Sequence, residues 1–489
     1  MINKQKHIHF IGICGVAMSA LAIMMQKKGW KVTGSDKGFY PPISTHLSKF
    51  KIEFYPGWHP ERIGANTLPL SKGELEGVAK NKSRQTTPNP SLERRGMPAL
   101  VVVGNVAGSS NPEFLFVKEN GIPYLSYPEL IKQQLLKENN IVVTGTYGKT
   151  SCTTLLSWIL KEANFKPSYM FGGLSLNLDN ASDDLGGDWS VLEGDEYKTS
   201  RWDEKAKFFS YNPTHLLLTA VKWDHADVYP TEELYFEAFK KLVKMIPDNG
   251  LIVISENVDK QILRSAQNDK KVTYGKSNGC DYQYFDVKST VTGLELKIKH
   301  LDKTYEVKTS LLGNFQAENI CGSFAMAHQI GISPELIVQL IVQFKGIKRR
   351  LEIRGKTENN TTVIDDIAHS PDKAESVLKT LKNIYEGKVT CIFEPNSGNR
   401  KKEAKNAYQG KFNLADEVLI PRLTRLKDND GFLTGKDLSD MIKKDNPNTK
   451  YIDDDEKLVN YLKENHGKDD VIVFCGSHSF RNMINELIK

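Results

Sequence analysis

Residues 141–151 read Ile-Val-Val-Thr-Gly-Thr-Tyr-Gly-Lys-Thr-Ser, and the fold is decided there. Ile141–Val143 is an apolar, β-branched run suited to a buried strand. Gly145 and Gly148 break it with a turn. From Ser151 to Phe165 apolar residues (Leu155, Leu156, Trp158, Ile159, Leu160) recur at helical spacing. Strand, glycine turn and helix in that order are the context of a phosphate-binding loop. Glycines let backbone N–H groups close on an anion, and the helix N-terminus adds partial positive charge. Lys149 is placed to bridge outer phosphates, and the Thr150 hydroxyl to sit on Mg²⁺. The form is Thr-Gly-Thr-x-Gly-Lys-Thr, shorter than the standard loop, with Val143 where that loop has its first glycine. A βα turn whose lysine is merely solvated is the alternative reading.

The rest of the chain bounds what such a loop serves. At 489 residues it is too long for one core, so two to four domains are expected. Hydrophobic residues make up 39% and charged residues 26%, ordinary for a globular protein. A net charge of +6 is small for this length and points away from nucleic acid, while allowing a polyanionic small ligand. The six cysteines are scattered without a Cys-x-x-Cys pair, which argues against a disulfide framework or structural zinc and for a reducing cytoplasm. The apolar run Ile8 to Ile13 is too short for a signal peptide, and no run approaches a membrane span.

Upstream, His7 to Ile13 reads as a buried strand. Gly12-Ile-Cys-Gly15-Val-Ala-Met18-Ser19 then leads into an apolar helix to about Gln26, and Lys31 to Asp36 is a second strand ending in an acid. This is a βαβ opening of Rossmann type with an incomplete dinucleotide fingerprint, since Cys14 and Ala17 stand where glycines are expected. It marks a nucleotide or sugar-nucleotide half-site, with a plain α/β turn as the alternative. Residues 71–98 are polar, basic and rich in turn formers, and read as an inserted surface loop. Ala99 to Asn105 and Pro123 to Tyr127 resume as strands.

Beyond the phosphate loop, Ser190 to Glu196 is a strand that ends in three carboxylates (Glu193, Asp195, Glu196). His215 to Val221 is a buried strand followed by Lys222-Trp-Asp-His225. Acids and a histidine at strand ends beside a phosphate loop are candidate Mg²⁺ ligands, with a solvated acidic turn and a structural histidine as alternatives. Gly250 to Glu256 is a further strand. Asp259 to Lys271 reads as a shorter insertion, and Leu311 to Asn319 opens a helix running to about Ile330. Gly346 to Glu352 reads as a basic linker, with a solvated joint as the alternative. Thr362–Pro371, Val389–Pro395, Glu417–Ile420 and Asp470–Gly476 carry the strands of a last, small α/β sheet.

Taken together these residues resemble the Mur ligase family, the cytoplasmic ATP-dependent enzymes that build the peptidoglycan stem peptide. The most specific element is Thr144-Gly-Thr-Tyr-Gly-Lys-Thr-Ser151. The resemblance implies an α/β chain of three domains. A Rossmann-like UDP-sugar-binding domain (1–138) would precede a P-loop ATP-binding ligase domain (139–345) with a mostly parallel sheet. A small Rossmann-like amine-binding domain (346–489) would come last. It implies that Gly12, Gly15, Met18, Ser19, Ser35 and Asp36 hold the UDP-sugar. Gly145, Thr146, Gly148, Lys149, Thr150, Ser151, Asn319, Arg350 and Asp366 would hold ATP. Thr150, Glu193 and His225 would hold Mg²⁺, and His369 would lie near the nucleotide and the amine. Lys149, His225 and Arg350 would carry the chemistry. Tyr147, Ala220, Lys222, Phe315, Gln316 and Ser370 depart from the family pattern.

The reaction so implied joins the lactyl carboxylate of UDP-N-acetylmuramate to an amine through an acyl phosphate. Gly12-Ile-Cys-Gly15, Tyr40-Pro-Pro-Ile-Ser-Thr45, Glu193-Gly-Asp-Glu-Tyr197, Arg349-Arg-Leu-Glu352 and Phe393-Glu-Pro395 resemble the branch that attaches L-alanyl-γ-D-glutamyl-meso-diaminopimelate in peptidoglycan recycling. L-alanine is the alternative amine. The expected partners are these small molecules, with no nucleic acid or membrane, in a monomer or weak homodimer. A Rossmann dehydrogenase using NAD and an inactive ATP-binding module are the readings from other classes.

Overall fold

The computed structural model describes residues 6–39, 41–63, 97–200, 202–265, 270–424 and 431–488. The expected insertion at 71–98 lies outside the described residues except for Met97 and Pro98, which are buried ahead of a strand. The chain divides into two compact units. One is Met1–Tyr284 with Ile298–Tyr305 and Asn319–Leu340, and the other is Phe285–Lys297 and Glu306–Glu318 with Ile341–Lys489.

The first sheet has five parallel strands in the order Glu53–Pro56, Lys31–Asp36, His7–Ile11, Leu100–Val103, Tyr124–Ser126. The helix Val16–Lys27 follows its central strand, and every residue from Met18 to Met25 is buried. A helix apolar all round must be covered on both sides. Here the sheet covers one side and the strand Ser182–Asp184 packs on the helix from outside. Asn180 Nδ2 donates to Ala20 O at 2.8 Å, and Lys27 and Lys28 pair with Asp183 and Asp184 at 2.6 and 2.8 Å. The Rossmann-like opening is thus fastened to the sheet that carries the phosphate loop.

That second sheet has ten strands. Their order is Lys303–Thr309, Gly293–His300, Tyr282–Thr290, Lys271–Gly275, Leu251–Ser255, His215–Leu218, Asn139–Thr144, Trp189–Gly194, Ser168–Met170, Ser182–Asp184. Asn139–Thr144 lies between His215–Leu218 and Trp189–Gly194, parallel to both. Three carboxyl ends therefore open side by side, the place where α/β sheets bind ligands. The expected insertion at 259–271 is corrected in part. Asp259 caps a short helix, Lys260–Arg264, and Lys271 begins a parallel strand, its register partner Ile252. The strands Tyr282–Thr290, Gly293–His300 and Lys303–Thr309, joined by two-residue connections, were not expected from sequence.

The third sheet has six strands in the order Glu352–Lys356, Thr362–Asp366, Val471–Gly476, Val389–Glu394, Glu417–Pro421, Thr449–Ile452. All pairs are parallel but the first. Apolar clusters cover both faces. The basic stretch at its entry is no solvated joint. Arg349 is buried, pairs with Asp365 at 3.1 Å and donates to the carbonyls of Gly476, Ser477 and His478. Among the described residues no helix is long and apolar enough to cross a membrane.

Candidate active site

The phosphate-loop turn is built by its neighbours. Thr144 Oγ1 donates to Gly194 O, Thr146 N to Ala220 O, and the Thr219 hydroxyl to Tyr147 O. Gly145 has φ +133°, and a Cβ there would lie 2.5 Å from Ala220 O. Gly148 has φ +79°, and a Cβ there would run into Asn319 Oδ1. The loop is therefore pressed between the next strand and the helix Gln316–Gln329, and only glycine fits those two positions. Gly148 caps the 14-residue helix Lys149–Glu162 without a side-chain bond, so the first-turn amides are not taken by a cap. Thr150 and Ser151 lie half-buried in that first turn.

Lys149 Nζ does not point to solvent. It donates to Gly145 O at 2.7 Å and to both carboxylate oxygens of Glu196 at 3.0 and 2.8 Å. Thr150 Oγ1 donates to Glu193 Oε1 at 3.0 Å, and Gly172 N to Glu193 Oε2 at 2.6 Å. Burial raises the Glu193 carboxyl above its ordinary value, so its charged form calls for a cation. His225 sits on a turn at φ +57°, its Nε2 3.5 Å from Glu196 Oε1. The Glu196 contact, acting against burial, raises its pKa. The structure thus brings Lys149, Thr150 and Glu193 together, while His225 turns to Glu196 rather than to Glu193. Glu196 stood in the sequence among the strand-end acids offered as metal ligands, and the structure pairs it with Lys149 instead.

Mg²⁺ takes oxygen ligands and is usually held by one or two protein groups together with phosphates and water. Thr150 and Glu193 fit that demand. Among the described residues no group of three or more His, Cys, Asp or Glu side chains is arranged to hold a metal. Two departures from the family pattern meet at the loop's rim, where Lys222 Nζ stands 5.9 Å over the exposed ring of Tyr147. The Lys222 backbone is tied to the Thr146 hydroxyl at 2.8 and 2.9 Å.

The first glycine turn differs. Gly12 (φ +88°) and Ile13 donate to Ser35 O, and Asp36 accepts from Cys14 N at 2.8 Å and Lys37 N at 2.7 Å. Asp36 therefore holds its own loop. Gly15 precedes the helix Val16–Lys27. Three of the expected contact residues have side chains engaged within the protein. Ser35 is buried and its hydroxyl donates to buried Glu113. Ser19 is buried and donates to Val16 O at 2.9 Å. Met18 is buried against Gly104. Their side chains shape the turn from within.

In the second unit, Arg350 is exposed between two residues of positive φ, Arg349 (60°) and Leu351 (47°). Buried Asp366 accepts from Leu351 N and Ala368 N, both at 2.8 Å, and burial raises its carboxyl. It fixes the turn that presents Arg350. His369 Nδ1 bonds Ile367 O at 2.7 Å, and burial lowers its pKa.

Comparison with known proteins agrees with this architecture. Residues 7–138 match the model described as Mur ligase family, catalytic domain. Residues 143–327 match the Mur ligase middle domain, and residues 349–478 match Mur ligase, glutamate ligase domain. The chain is 30% identical over 427 residues to the UDP-N-acetylmuramate–L-alanyl-γ-D-glutamyl-meso-2,6-diaminoheptandioate ligase of Escherichia coli, covering 84% of each chain. It is 27% identical to the UDP-N-acetylmuramate–L-alanine ligase of Caldanaerobacter subterraneus, over 97% of this chain and 96% of that one. The crystal structure of the UDP-N-acetylmuramate–alanine ligase from Thermotoga maritima superposes with a TM-score of 0.75 at 23% identity, covering 99% of this chain and 98% of that one. The chain belongs to the Mur ligase family.

Proposed function

We propose that the protein is a cytoplasmic ATP-dependent amide ligase that joins UDP-N-acetylmuramate to L-alanyl-γ-D-glutamyl-meso-diaminopimelate in peptidoglycan recycling. The observation that carries the ligase reading is the pairing of Lys149 and Thr150, at the helix start, with two carboxylates from the adjacent strand end. The proposed organisation assigns the sugar nucleotide to 1–138, ATP to 139–345 and the amine to 346–489.

The reaction brings two anions together, a carboxylate and the γ-phosphate, so the residues around them must supply positive charge. In this reading the loop amides and Lys149 orient the phosphates, and Thr150 and Glu193 hold Mg²⁺, which when bound neutralises phosphate charge. Arg350 is an exposed guanidinium on a backbone fixed by Asp366, a group whose fork matches phosphate oxygens. The carboxylate attacks the γ-phosphorus and ADP leaves, giving an acyl phosphate; the incoming amine then attacks its carbonyl, phosphate leaves and the amine nitrogen loses a proton.

The choice of amine is supported by the resemblance of five stretches and by the Escherichia coli relative. One stretch supports it less directly than its sequence suggested. Glu394 of Phe393-Glu-Pro395 is buried, accepts from Thr424 N at 2.6 Å and pairs with Arg481 at 3.2 Å, so it braces its strand end rather than meeting a substrate. L-alanine is the second reading, favoured by the longer alignment to the Caldanaerobacter enzyme. Phosphate release from ATP with Mg²⁺ and UDP-N-acetylmuramate, run in parallel with the tripeptide and with L-alanine, tests the assignment. Release with the tripeptide alone is expected, and release that depends on L-alanine would transfer the protein to the second reading.

A further inference from the structure

The strand Trp189–Gly194 runs on from its acids into a hairpin. Phe208 N donates to Asp195 O at 3.3 Å, Lys207 N to Tyr197 O at 3.1 Å, Thr199 N to Lys205 O at 2.8 Å and Ser200 N to Asp203 O at 3.0 Å. Lys198 and Ala206 form an antiparallel bridge between those bonds. Trp202 stands at the tip. Its ring is stacked on that of buried Phe114, centroids 5.4 Å apart at 30°, and meets that of Tyr124 edge-on at 5.7 Å and 84°. Phe114 belongs to the helix Pro112–Glu119 and Tyr124 to the last strand of the first sheet. At the hairpin's base the Lys207 ammonium pairs with Asp195 and stands 5.5 Å over the rings of Tyr127 and Tyr197.

One short piece of chain therefore connects the surroundings of both glycine turns. At its base, Glu193 takes the Thr150 hydroxyl and Glu196 the Lys149 ammonium. At its tip, Phe114 follows Glu113, whose carboxylate takes the Ser35 hydroxyl and His59 N. Ser35 O in turn receives the amides of Gly12 and Ile13. Asn180, Asp183 and Asp184 fasten the helix that follows the first turn, whereas the hairpin fastens the helix whose Glu113 braces that turn. A large ring with two side-chain torsions fixes such a contact at small entropic cost. In the proposed reaction the carboxylate carried by the sugar nucleotide must meet the γ-phosphate at the second turn, and neither turn alone sets that distance. We propose that Trp202 is a positioning residue of the ligase reaction. Seated against Phe114 and Tyr124, it holds the hairpin, and with it the acids at the strand end, in one place relative to the first turn. It acts on the distance between two reactants rather than on the binding of either. This rests on the proposed function, with the sugar nucleotide at the first turn and ATP at the second.

The test uses the full chain. MgATP and UDP-N-acetylmuramate are titrated separately by calorimetry, and phosphate release with the tripeptide and with L-alanine gives kcat. Trp202→Ala is expected to bind each ligand as the parent does while kcat falls on the order of 10²-fold, as for a misplacement of about 1 Å. Trp202→Phe keeps a ring to stack and is expected to restore most of the parental kcat. A merely structural tryptophan would lower the melting temperature without separating kcat from affinity. Parental kcat in a folded Trp202→Ala chain overturns the proposal, as does a loss of kcat matched by equal losses of affinity for both ligands. Should Trp202→Ala not fold, Trp202→Leu keeps apolar volume without a ring. Reduced kcat at parental affinities is expected of it, and parental kcat would overturn the proposal. A parent chain that releases no phosphate with either amine overturns the ligase reading and this proposal with it, whereas an active parent matched by its tryptophan variants overturns this proposal alone.

Discussion

The two glycine turns of the first unit are built on one plan and charged in opposite ways. Each follows a strand with a parallel neighbour on either side and starts a helix whose cap makes no side-chain bond. In the first, Asp36 reaches back and ties down Cys14 N and Lys37 N. In the second, the loop's own ammonium lies over Gly145 O, balanced by a carboxylate from the neighbouring strand. The carboxylate of the first turn is bonded to its own backbone. The second carries a cation paired with a buried carboxylate. In the proposed function the first turn serves the sugar nucleotide and the second the triphosphate, with side-chain charge making the difference.

The largest break in this comparison comes from Lys149→Met. Loss of the loop cation is expected to lower ATP turnover on the order of 10²–10³-fold, read as phosphate release, as for loss of one transition-state donor. Next is Gly145→Ala. At φ +133°, with Ala220 O 2.5 Å from the new Cβ, strain on the order of 1–3 kcal/mol is expected, visible as a lower melting temperature with weakened ATP binding. At the first turn, Asp36→Ala leaves two backbone donors without their acceptor. A loss of about 1–3 kcal/mol in stability is expected, with the KM for the sugar nucleotide raised and that for ATP unmoved. Equal changes in both KM values would show that the turns do not serve separate ligands.

The smallest effect is one of pH. Burial alone would raise the Glu113 carboxyl, but nearby His9, the Ser35 hydroxyl and His59 N–H hold it below its ordinary value of 4.5. Its stabilising contribution is therefore complete above pH 4.5 and is lost as pH falls through the lower folded value. Thermal melts of the parent and of Glu113→Gln should converge as pH is lowered below 4.5. A gap that widens instead would mean that Glu113 does not brace the first turn as an anion.

What could be read from sequence was local. The run Ile141–Ser151 carried strand, turn and helix within eleven residues, and the central strands of all three sheets showed as short apolar runs because they are buried on both faces. The strands Tyr282–Thr290, Gly293–His300 and Lys303–Thr309 are buried on one face only, so residues such as Leu294, Leu296 and Ile298 alternate with charged ones and form no continuous apolar run. Roles set by distant partners escaped too. Lys149 meets Glu196 from 47 residues away, and Ser35 meets Glu113 across 78. Arg349 closes on carbonyls more than 120 residues downstream. Side by side in sequence, Arg349 and Arg350 look alike. Only the fold buries one and exposes the other.

Calorimetric titration of the Lys149→Met chain with ATP and with UDP-N-acetylmuramate tests the separation of the two turns most directly. The account predicts that ATP binding is lost while UDP-N-acetylmuramate binds as it does to the parent. Retained ATP binding, or loss of both ligands by a chain that still melts as the parent does, would contradict it.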